Sequence, residues 1–193
     1  MGRRAQPEIK EQLLERCTDY ALAHGLPDGL DEFAAETGTS PRMLLYHFGT
    51  RDDLFRAVLA AARSRQVAMY TALLRPRDDE PYTAVLERAW ASMTGPSGQP
   101  YLRIFNALRQ DAEQRLWPGF RRIATTDWLG PLEQGLGSIG RAEDATLVLA
   151  VIRGLLADLE ATDDAPRADD AFRRFIALLD RDVARSPTAA PGS

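Results

Sequence analysis

The stretch Phe33-Ala34-Ala35-Glu36-Thr37-Gly38-Thr39-Ser40-Pro41-Arg42-Met43-Leu44-Leu45-Tyr46-His47-Phe48-Gly49-Thr50-Arg51-Asp52-Asp53-Leu54 decides how the whole chain is read. Leu30, Phe33, Ala34 and Thr37 recur at three- and four-residue steps, bounded by Pro27-Asp28-Gly29 before and Gly38 after, so they predict a short helix. Ser40-Pro41 then signals a second start: a serine oxygen accepts from the open amides of a first turn, and proline at the first helical position gives up no bond. The helix through Met43, Leu44 and Tyr46 ends before Gly49. Thr50 can cap the next one, with Asp52 and Asp53 in its electropositive first turn. Two short helices crossing steeply need a tight turn, which glycine permits. The pattern is a helix-turn-helix, whose second helix can enter a DNA major groove while the first crosses the backbone.

Outward from this stretch the spacing stays helical. Ile9, Leu13, Leu14, Cys17, Tyr20, Ala21 and Ala23 mark a helix before the pair, ending at His24-Gly25. Leu54, Phe55, Val58, Leu59, Ala62, Met69, Tyr70 and Leu73 mark a long one after it, to about Arg75. Further helices are expected at about 81–94, 100–114, 118–137, 142–160 and 168–184, separated by segments rich in proline and glycine. No segment alternates in the manner of a half-buried strand. The expected fold class is all-α, about nine helices in total: an N-terminal three-helix bundle with the helix-turn-helix, then a larger helical domain. The domains read as 1–52, 53–185 and a polar, proline-containing tail, 186–193, with too little apolar surface to order itself.

Composition sets limits on function. The 193 residues carry 24 Lys plus Arg against 28 Asp plus Glu, a net charge of -4, which argues against a surface that coats nucleic acid broadly. The deficit sits in residues 1–55, and yet between Gly38 and Arg51 there are two arginines and no acid. One cysteine and two histidines are too few for a closed zinc site, and no intrachain disulfide is possible. No apolar run approaches a bilayer span and no secretion signal opens the chain, so the expected location is the cytoplasm. No nucleophile–base pairing or glycine-rich phosphate loop is evident; neither an enzyme nor a cofactor is expected.

The run from Phe33 to Leu54 resembles the N-terminal signature of TetR-type transcriptional regulators: a hydrophobic-Ala pair, a Gly-x-Ser turn, a Leu-Tyr-x-His-Phe segment, and a Lys-x-x-Leu opening the fourth helix. The resemblance covers about residues 8–58, with Tyr20 and Gly25 fitting in the first helix. Three positions depart from it. Leu45 stands where the family commonly has the Tyr of Leu-Tyr, Arg51 where Lys is usual, and Gly29 where a hydroxyl residue is common. The resemblance implies a homodimeric regulator binding a palindromic double-stranded operator, most often a repressor released by a small-molecule effector. The alternative is a helical ligand-binding or adaptor protein with weak or lost DNA binding.

Residue chemistry supplies candidate roles. Arg42, one step past Pro41, can fork onto guanine O6 and N7, and Met43 can touch a thymine methyl. Ser40, Tyr46, His47, Thr50 and Arg51 suit phosphates, which set register without reading sequence. Arg3 and Arg4 could act as a flexible arm. Leu44, Leu45 and Phe48 are expected in the core. Aromatic and methionine side chains of the larger domain can line an effector cavity, with Trp90, Met93, Phe105, Arg109 and Trp128 as candidates. The last two helices carry apolar faces, Leu147 to Leu159 and Phe172 to Val183, suited to a four-helix dimer contact.

Overall fold

The computed structural model describes residues 5–110 and 115–185, except the side chains of residues 5, 6, 107, 109, 110 and 182–185. Arg3, Arg4, the tail 186–193 and the side chains of Arg109 and Val183 lie outside the described residues. The architecture is all-α: α1 (Ala5–His24), α2 (Asp31–Thr37), α3 (Pro41–Phe48), α4 (Arg51–Leu73), α5 (Tyr82–Thr94), α6 (Gln99–Gln110), α7 (Phe120–Thr126), α8 (Leu129–Gly137), α9 (Ala145–Thr162) and α10 (Ala165–Arg185). A 3-10 turn, Ala142–Asp144, precedes α9.

Among the described residues all nine expected helices are present, positions 111–114 of the one expected at 100–114 lying outside them, and the one read across 118–137 is interrupted at Asp127-Trp128 to give α7 and α8. The interruption has a cause in Pro131. Proline has no amide to donate to the Asp127 carbonyl four residues back, and its ring clashes with that carbonyl in a continuous helix. The chain restarts with the Leu132 amide on the Trp128 carbonyl at 3.2 Å.

The chain divides into two compact units. The first holds α1, α2, α3, α4 as far as Met69, and residues 98–123. Its core is built from Leu13, Cys17, Phe33, Leu44, Leu54, Val58 and Leu59, all nearly or fully buried. Phe33 meets Tyr20 and Phe55 edge-on, each at 5.6 Å between ring centres. Burial pushes the Cys17 thiol up to about 11, so it stays neutral and packs as a small hydrophobe.

The second unit holds residues 70–97 and those from Ala124 onward. Tyr82, Leu86 and Trp90 of α5 pack with Leu132 and Leu136 of α8, Val148 and Ile152 of α9, and Phe172 and Ile176 of α10. Close approach of α5 and α8 depends on Gly135: a Cβ there would lie 1.9 Å from Tyr82 Cζ and 2.0 Å from its hydroxyl. The Tyr82 hydroxyl is the one buried side-chain polar atom among the described residues without a hydrogen-bond partner, and burial pushes its pKa up to about 12.

Candidate nucleic-acid interface

The α2–α3 corner is made by local chemistry. Gly38 takes a left-handed conformation, φ 68°, and ends α2 by donating to Ala35, while the Thr39 amide donates to the Ala34 carbonyl at 3.0 Å. This pair of reversed bonds is the Schellman closure that glycine favours. Ser40 is extended, and its Oγ accepts from the Met43 amide at 3.3 Å; Pro41 follows as the first helical residue. From α1, Arg16 donates to the Thr37 carbonyl at 3.0 Å and to the Glu36 carbonyl, a cation placed on the electronegative end of α2. Sequence reasoning missed this anchor, which joins residues 21 apart.

α3 turns Leu44 and Phe48 inward, 0% and 9% exposed. Its other side carries Arg42, Met43, Leu45 and Tyr46, all exposed, with Tyr46 the most open at 65%. Leu45 therefore departs from the expectation that it packs in the core. A residue follows its neighbour by about 100° around a helix, so Leu45 cannot share the inward stripe set by Leu44 and Phe48. His47 is half-buried, and its ring meets Tyr46 at 5.2 Å between centres.

The α3–α4 corner binds several of the remaining candidates. Gly49 has φ 92°, and the Thr50–Asp53 pair closes a capping box. The Thr50 hydroxyl donates to Asp53 Oδ2 at 2.6 Å and accepts from the Asp53 amide at 3.1 Å, while the Thr50 amide donates to the same carboxylate. These bonds, the side-chain bond from Thr50 first, hold the Asp53 carboxyl below the usual carboxylate range. Arg51 donates to the Asp28 carbonyl at 2.7 Å and lies over the Phe55 ring at 4.5 Å, tying the loop before α2 to the start of α4. The two acids nearest α3 in sequence are also engaged: Glu36 faces Arg16, and Asp52 faces Arg51.

The eight candidates fall into three sets within the first unit. Arg42, Met43 and Tyr46 are presented outward from α3. Ser40, Pro41, Thr50 and Arg51 build the corners that hold α3, and His47 sits at its edge. The Ser40 hydroxyl accepts in its cap, whereas the Thr50 proton is directed to Asp53.

The effector candidates do not share one compact unit. Phe105 belongs to the first, stacked on Phe120 at 5.5 Å. Trp90, Met93 and Trp128 belong to the second and join its core cluster. Trp90 stacks on Phe172 at 4.8 Å and donates its indole N–H to Asp169 at 2.7 Å; Trp128 meets Tyr70 edge-on at 5.8 Å. An open recess of about 440 Å³ is lined by Glu87, Trp90, Asp169, Phe172 and Arg173 among others, so its rim is charged. No group of residues able to hold a metal ion occurs among the described residues.

The last two helices divide their apolar side chains. Val148 and Ile152 of α9, and Phe172, Ile176 and Leu179 of α10, fill the unit's own core. Leu147 and Leu178 are left 51% and 57% exposed.

No protein-family model matches the sequence, and no curated protein matches it. Solved structures do match it over nearly their whole lengths. A TetR-family transcriptional regulator from Cytophaga hutchinsonii is similar at a TM-score of 0.69 with 15% identity, over 92% of this chain and 96% of that one. A transcriptional regulator from a Rhodococcus species is similar at 0.67 with 21% identity, over 88% and 94%. A structure described as a SmeT–triclosan complex is similar at 0.62 with 18% identity, over 96% of each chain. The fold is that of TetR-family regulators.

Proposed function

We propose that this chain is a sequence-specific DNA-binding transcriptional regulator of the TetR family, acting as a homodimeric repressor released from its operator by a small-molecule ligand. The carrying observation is the outward side of α3: Arg42, Met43 and Tyr46 are exposed on a helix held by capped corners, in a stretch without acids. A guanidinium there suits guanine, and the phenol and the Ser40 hydroxyl suit phosphates. Residues 1–52 act as the DNA-binding domain and 53–185 as the ligand-binding and dimerisation domain, in the cytoplasm.

One short helix binds weakly, so two copies on a two-fold axis read a palindrome whose half-sites lie about 34–36 Å or a multiple apart. The exposed Leu147 and Leu178 support pairing through α9 and α10. Release requires an effector that binds better to a conformation in which the two reading helices no longer match the operator. The SmeT–triclosan structure supports a ligand role, since it pairs a similar fold with triclosan. In this reading Trp90, Met93, Phe105, Arg109 and Trp128 remain the effector candidates.

The test is fluorescence anisotropy with sites selected from a randomised duplex library. Arg42→Ala should lose about 1–3 kcal/mol, roughly 5- to 150-fold, with relaxed preference at one base pair. Tyr46→Ala should weaken selected and unrelated duplexes alike. Failure to select any duplex at low salt overturns the reading.

A further inference from the structure

The outward side of α3 is more apolar than a helix serving only polar readout needs. With about 100° between successive residues, and Leu44 and Phe48 facing inward, Arg42 and Tyr46 fall on the opposite side. Met43 and Leu45 fall on the two flanks, 42% and 37% exposed. Neither contributes to the buried core of the first unit. Their shared surface contains Arg42 and no acid between Gly38 and Arg51, so it suits a partner that is polyanionic and also offers isolated apolar groups. A DNA major groove is such a partner, because the C5-methyl of thymine is the apolar feature on its floor.

The polar inventory points the same way. The Thr50 hydroxyl donates to Asp53, Arg51 is tied to the Asp28 carbonyl, and the Ser40 oxygen caps α3 at the Met43 amide. α3 contains no Asn, Gln, Asp or Glu to pair with an adenine or cytosine edge. Arg42 is its one guanidinium.

We propose that Leu45 is a specificity-determining residue: it takes a thymine methyl on one flank of α3, as Met43 does on the other, so that methyl contacts supply most base discrimination beyond one guanine read by Arg42. The proposal rests on the DNA-reading function above.

The experiment uses the full chain and a duplex selected from a randomised library. Each thymine in the selected site is replaced in turn by deoxyuridine, which removes the methyl and leaves the pairing edge unchanged. Affinities are measured for the unsubstituted chain, Leu45→Ala and Met43→Ala. Loss of one buried methyl is expected to weaken binding about fourfold. At one thymine per half-site that loss should vanish in Leu45→Ala, and at a different thymine in Met43→Ala, a coupling that a purely structural role for either residue does not produce. Unchanged melting temperatures show that the variants, altered at exposed positions, still fold. Undiminished loss in Leu45→Ala, or indifference of the unsubstituted chain to every uracil, overturns the proposal while binding to the selected duplex leaves the DNA-reading function standing. If no duplex is selected, both fall.

Discussion

Gly135→Ala tests the packing of α5 against α8. The added Cβ would lie 1.9 Å from Tyr82 Cζ, 2.0 Å from its hydroxyl and 2.2 Å from Cε2. Ordinary carbon contacts begin near about 3.5 Å, so two ring carbons and the hydroxyl oxygen are overlapped by well over an ångström. Tyr82 is 2% exposed within a cluster that includes Leu86, Leu132 and Leu136, so the ring has no solvent to swing into. Overpacking of this kind costs about 1–3 kcal/mol. At about 2–4 °C per kcal/mol for a chain of this length, the thermal midpoint should drop by roughly 2–12 °C. Calorimetry or circular dichroism melts read this directly. Tyr82→Leu removes the overlapped atoms at the cost of a cavity, so the double variant should be more stable than the sum of the two single losses implies. Tyr82→Phe deletes only the unpartnered hydroxyl and should be neutral or stabilising. A Gly135→Ala protein that melts with the unsubstituted one, or losses that simply add, would refute the reasoning.

Two further predictions concern the α3–α4 corner and the assembly. Thr50→Ala removes the cap of α4 and should cost about 0.5–2 kcal/mol in urea unfolding. Because the folded Asp53 carboxyl is held below its ordinary value of 3.8, its contribution is present above that pH and is lost as pH falls through the lower folded value. Stability measured against pH should therefore decline less steeply below 3.8 in Thr50→Ala, and an identical slope would show that the cap does not hold the carboxylate. Charging the α9–α10 surface with Leu147→Glu plus Leu178→Glu should convert a dimer into a 21.4 kDa monomer in sedimentation equilibrium while leaving the helical signal unchanged. A dimer that survives both changes would place the interface elsewhere.

What was legible in the sequence was what a few neighbouring residues decide. Gly38, Ser40 and Pro41 announce the turn because a left-handed closure, a hydroxyl cap and a fixed φ each act within four residues. Pro131 carried an equally local signal, and reading one apolar period across it joined α7 to α8. Leu45 was misplaced because Leu44-Leu45 offers two apolar candidates for one inward position, and a helix of eight residues is too short for periodicity to choose between them. Arg16 on the α2 carbonyls and Arg51 on Asp28 join residues 20 or more apart, and nothing in composition or spacing marks such pairings. The effector candidates were chosen for their chemistry alone, which carries no information about which unit each belongs to; Phe105 and Trp90 fall on different ones.

The capped corners around α3 also bear on how such a protein can change. Gly38, Ser40, Pro41, Leu44, Phe48, Thr50 and Asp53 hold the helix in place, while Arg42, Met43, Leu45 and Tyr46 are exposed on its outer side. On the proposed function, folding and recognition are assigned to different letters of the same short segment. A descendant could exchange the second set one residue at a time and acquire a new operator without passing through an unfolded ancestor. Mutational drift in target choice would be nearly invisible to any selection that senses only stability.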